Sequence, residues 1–69
     1  MDLASAQKIE ERALHAVEEL TNLLNYASTA CSPDEYERLR KGVGLSIGTI
    51  QTDLLDFIYQ RHPELDNLA

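Results

Sequence analysis

Ser32-Pro33-Asp34-Glu35 is the stretch on which the reading of this chain turns. A serine placed here can accept a hydrogen bond from the third amide of a following helix, while the glutamate reaches back to the serine amide. Proline at the first helical position loses no hydrogen bond, because that amide has no partner inside a helix. Asp34, Glu35 and Glu37 add negative charge where the helix dipole is positive. A helix is therefore expected to begin at Pro33. It should stop near Arg61-His62, since Pro63 disfavours helical geometry at His62 and its ring clashes within a continuing helix. The tail, 63–69, either folds one turn back onto the helices or frays.

Upstream of the serine, Ala6, Ile9, Ala13, Ala16, Leu20, Leu23, Ala27 and Ala30 alternate spacings of three and four without a break. That is the seam of an amphipathic helix over about residues 4–29, widened on one side by Val17, Leu24 and Cys31. No run alternates with period two for long enough to suggest a strand. The connection between the two helices holds roughly two to five residues, which forces antiparallel neighbours. The expected fold is all-α: a single helical-hairpin domain over 1–69, with helices about 4–29 and 33–62.

Composition narrows the function classes. The chain has 69 residues, too few for two cores. Six Lys and Arg stand against twelve Asp and Glu, a formal charge of -6, which argues against nucleic acid as a partner. No apolar run approaches the ~20 residues a membrane span requires. The first eight residues have no cationic segment leading into an apolar one, so no signal peptide is expected. A single cysteine, Cys31, excludes an internal disulfide framework and fits the reducing cytoplasm.

Placing residues at about 100° per step reveals an asymmetry between the two helices. The first has an ordinary apolar arc. The second carries a stripe of Tyr36, Leu39, Val43, Ile47, Ile50, Leu54, Phe57 and Ile58, and a second row of Leu45, Gly48, Thr52, Leu55 and Tyr59 on its other side. One partner helix cannot cover so wide an arc. Domains of this size also rarely draw more than ~3–5 kcal/mol from one core and usually need disulfides, metal or association. The expected product is a C2 homodimer, two hairpins forming a four-helix bundle with the second helix at its centre. Its helix-helix and dimer contacts are expected at Ala13, Ala16, Leu20, Leu23, Val43, Gly44, Leu45, Ile47, Gly48, Ile50, Leu54, Leu55, Phe57, Ile58 and Tyr59. Gly44 and Gly48 share a face and would let another backbone come close, with alanines of the first helix as a matching flat surface. Such a contact would offset the ~1 kcal/mol that each helical glycine costs.

Chemistry-bearing residues point elsewhere than catalysis. Gly42-Val43-Gly44-Leu45-Ser46-Ile47-Gly48 has the outline of a phosphate loop, with Arg38, Arg40 and Lys41 before it, but such loops follow a strand and open a helix. Here a capped helix already runs into the glycines. Glu11, His15 and Glu18 (or Glu19) have metal-ligand spacing, yet His15 falls on the polar side of its helix, whereas metal-binding bundles turn such sets inward. Cys31 extends an apolar stripe, and His62 caps a helix end. Asp53 and Asp56 occupy the polar wedge of the second helix. Arg40 is expected either to snorkel out or to pair with an acid across the interface. With Arg38 and Lys41 it forms a basic cluster, read as a face charge-paired with Glu35 and Glu37. Tyr26, Tyr36 and Tyr59 are candidate interface anchors. No catalytic, cofactor-binding or metal-binding residue is assigned.

From Tyr36 onward the chain resembles a group of short bacterial helical proteins of unassigned function. The resemblance rests on Val43-Gly44-Leu45-Ser46-Ile47-Gly48 and on Ile58-Tyr59-Gln60-Arg61-His62-Pro63-Glu64-Leu65, and it covers roughly half the chain. It implies a bacterial source and a helical hairpin, and it brings no activity or cofactor. The function expected is a non-enzymatic, homo-oligomeric protein-interaction module. The alternatives are an antitoxin, immunity or adaptor-type regulator that binds a different protein through the second helix, and a small metal- or phosphate-binding enzyme.

Overall fold

A computed structural model describes residues 1–66, and every regular element among them is helical. Four α-helices, α1 (Leu3–Ala30), α2 (Pro33–Thr49), α3 (Asp56–Arg61) and α4 (Pro63–Asp66), are joined in order, with a π-helical segment, Ile50–Leu55, between α2 and α3. The all-α class expected from the sequence holds for the described residues. Residues 67–69, part of the expected tail, lie outside them.

The helix ends follow local chemistry. α1 starts one residue earlier than expected because Asp2 caps it, accepting a hydrogen bond from the Ser5 amide at 2.8 Å. At the start of α2 the reciprocal box is complete. The Glu35 amide donates to Ser32 Oγ at 3.3 Å, and the Ser32 amide donates to Glu35 Oε1 at 2.9 Å. The chain leaves helical geometry at His62, where φ is -136° and ψ is 75°.

The second arm is not one regular α-helix over 33–62, as expected, but contains the π segment. There the Asp56 amide donates to the Gln51 carbonyl, five residues back. The Thr49 hydroxyl takes the Leu45 carbonyl at 3.0 Å, and the Thr52 hydroxyl takes the Gly48 carbonyl at 3.0 Å. Such side-chain bonds compete with the helical ladder at a point already weakened by glycine. The widened turn accommodates one extra residue and rotates everything after it by about 100°. Leu55, assigned by the sequence to an outer row, is buried, whereas Leu54 and Phe57 are 47% and 44% exposed. The observed inner stripe is Val43, Ile47, Ile50, Leu55 and Ile58, with a five-residue step where a regular helix has three or four.

The core is thin. Ala6, Ile58 and Leu65 form one cluster with Tyr59 packed against it, and Ala13, Ala27, Val43 and Leu55 are also buried. α1 packs along both α2 and the π segment. At the far end, α4 folds back so that Leu65 covers Ala6, and His62 Nε2 lies 3.2 Å from the Met1 carbonyl oxygen. The result measures 45 × 21 × 16 Å.

Candidate protein-interaction surface

In α1 the seam divides by register. Ala6, Ala13, Leu20 and Ala27, spaced by seven, are buried or half-buried, and so are their neighbours Glu10, Val17, Leu24 and Cys31. The intervening Ile9, Ala16, Leu23 and Ala30 are exposed. An alternation of three and four over this length is the pattern of a coiled-coil seam, both halves of which normally meet a partner. Only one half does so within this chain.

The second arm adds to the same side. Helical angles place Leu39, Leu54 and Phe57 on the edge of that arm that borders the Ile9, Ala16 and Leu23 row. Two pairs of neighbours fix the sidedness. Met1, Phe57, Arg61 and His62 line one shallow depression on this side, while Tyr59 meets Glu10 on the other. A second depression, mostly apolar, runs along Ala16, Glu19, Leu20, Asn22 and Leu23. The Arg61 guanidinium sits 5.2 Å from the centre of the Phe57 ring and leaves its outer side uncovered.

The residues named from the sequence scatter across three environments. Ala13, Val43, Leu55 and Ile58 are buried, and Leu20, Ile47, Gly48, Ile50 and Tyr59 are half-buried. Ala16, Leu23, Gly44, Leu45, Leu54 and Phe57 are exposed. Leu45 stands alone on the back of α2, 76% exposed. Within the chain, the expected close approach at the glycines is not made: a Cβ at Gly42, Gly44 or Gly48 would meet nothing within 4 Å. Sequence reasoning passed over Ile9 and Leu39 as contact residues. The seven-residue spacing that places Ile9 in an uncovered row was present in the seam.

The chemical candidates stay dispersed. Glu11 and His15 share a depression with Lys8 and Arg12, whose charges oppose a bound cation. No group of three or more His, Cys, Asp or Glu is placed to hold a metal ion among the described residues. Arg40 is held by Glu37, Nε to Oε2 at 3.1 Å, and that pairing holds the Glu37 carboxyl below its ordinary range. Asp53 and Asp56 are exposed. Among the described residues the strongly displaced titration is that of Tyr59, which the neighbouring Glu10 carboxylate, reinforced by burial, pushes up to about 12. This arrangement ties α3 to α1 and activates no nucleophile. No helix among the described residues is long and apolar enough to cross a membrane. No protein-family model matches the chain, and no match to it is found among curated proteins or solved structures.

Proposed function

We propose that this chain is a non-enzymatic protein-interaction module of the cytoplasm that associates with copies of itself, each copy an antiparallel helical hairpin and two copies forming a four-helix bundle. The observation that carries the reading is the imbalance between what the fold buries and what it leaves out. Among the described residues seven side chains are buried hydrophobics, three of them alanines, while ten large apolar side chains are exposed. A core that small supplies little of the stability a folded domain needs, and the remainder comes from covering the outer apolar groups. Sedimentation equilibrium of the full chain across micromolar concentrations tests this. A mass of two or more chains is expected, and a well-folded single chain throughout overturns it.

The second reading, a regulator that binds a different protein, draws on Leu45. Its exposure on the back of α2, away from the row on α1, offers a separate apolar contact. Recovery of one stoichiometric protein with the native chain, lost on Leu45→Lys, would favour it.

A further inference from the structure

We infer that the surface through which this chain meets a second copy is the side carrying Ile9, Ala16 and Leu23 of α1, and that the copy lies antiparallel, related by a two-fold axis passing Ala16 and Ser46. This rests on the self-association proposed above and adds its surface and its geometry. Three observations converge on it.

The first is symmetry within each arm. Ile9 and Leu23 lie seven residues to either side of Ala16. On the second arm Leu39 lies seven residues before Ser46 and Leu54 eight after it, the additional residue being the one taken up by the π segment. Ala16 and Ser46 each stand about 15 residues from the Cys31-Ser32 connection, about 22 Å along their helices, so a single axis serves both arms. A copy turned about it sets Ile9 against Leu23 of the partner subunit and Leu39 against Leu54 of the partner subunit. The small residues at the centre let the helices approach.

The second is charge. Arg12 and Glu19 flank the uncovered row, four residues before Ala16 and three after it. Antiparallel pairing sets Arg12 beside Glu19 of the partner subunit, and the same contact recurs on the other side of the axis, as a self-complementary interface demands. Neither residue takes part in an ion pair among the described residues, where the pairs are Arg40 with Glu37 and His62 with Glu64. A two-fold axis running along the helices would set α1 against the partner subunit's second arm, or Arg12 level with its own copy, and in neither case beside Glu19 of the partner subunit.

The third is area. The chain exposes 5240 Å², whereas a compact monomer of 7.8 kDa exposes about 4,400 Å². The excess, about 800 Å², is the surface an elongated hairpin carries over a compact one, and it leaves room for the share one partner contributes to an interface of standard size.

Charge reversal with the full chain tests the pairing. Arg12→Glu and Glu19→Arg, each alone, place like charges together twice per dimer and should weaken association about tenfold, while the double variant recovers it. Circular dichroism establishes that each variant remains helical. Crosslinking tests the axis independently: in a Cys31→Ser background, Ala16→Cys should be joined to its own copy by a short thiol crosslinker, and Leu14→Cys, on the opposite edge of α1, should not. If the unaltered chain is monomeric, both this inference and the functional reading fail. If it dimerises but both reversals are silent, or only Leu14→Cys is joined, the module reading survives and this surface is wrong.

Discussion

Tyr59 carries a pH dependence whose direction follows from its surroundings. The Glu10 carboxylate beside its hydroxyl first, and burial second, raise the folded pKa from 10.0 to about 12. Stability from a raised acid is present below its ordinary pKa and disappears as pH climbs through the folded value. Tyr59→Phe, which removes the hydroxyl facing Glu10, should therefore cost up to about 1 kcal/mol at pH 7, with parent and variant converging above pH 12 in denaturant melts. Glu35 behaves in the opposite sense. The Ser32 amide first, and the Ser32 side chain second, lower its pKa, so its contribution is present above the ordinary carboxylate range and is lost as pH falls through the lowered value. Ser32→Ala should remove about 1 kcal/mol at neutral pH. Gly44→Ala should do the reverse, gaining about 1 kcal/mol in the same melts, because its Cβ enters open space on a helix of ordinary φ.

At the level of elements, the π segment decides which side chains face α1. Because it supplies one residue more than a regular helix would hold, deleting the exposed Gln51 should keep Leu55 and Ile58 directed at α1. Deleting Lys41 from the regular part of α2 should turn every later residue out of place. Thermal melts followed by circular dichroism are expected to show a transition near that of the parent for the first deletion and none for the second. In dilute solution Ile58→Ala should cost about 2–4 kcal/mol and Phe57→Ala much less, an order that an unbroken helix does not require. These elements also mark how far the sequence was legible. The helix start at Pro33 and the stop before Pro63 depend on contacts three or four residues apart, which composition and spacing record, whereas the Asp2 cap that starts α1 was not read from them. The π segment coincides with two threonine hydroxyls bonded to carbonyls four residues back, and the residues after it are directed inward where Leu65 and Ile58 meet Ala6. Neither is visible in a periodicity of about 100° per residue. An unbroken wheel consequently put Leu55 outside and Leu54 and Phe57 inside. The candidate surface was legible in α1 as a seam of threes and fours, but which half stays uncovered depends on how the second arm packs.

The molecule as a whole is long and narrow, with a radius of gyration of 14.7 Å where a compact chain of this length has about 11 Å. A folded form that draws on a second copy for stability should melt at higher temperature as protein concentration rises, and a midpoint unmoved over a hundredfold dilution would speak against it. The position of the lone cysteine has a use here. Cys31 marks the bend joining the arms, at the pole opposite Met1 and His62. A nitroxide attached to each Cys31 of an antiparallel pair would stand about 45 Å from its twin, twice the ~22 Å separating the bend from Ala16. Side-by-side alignment would bring the two probes within a helix diameter or two. Dipolar spectroscopy on the natural thiol thus distinguishes head-to-tail from head-to-head packing without altering a single residue.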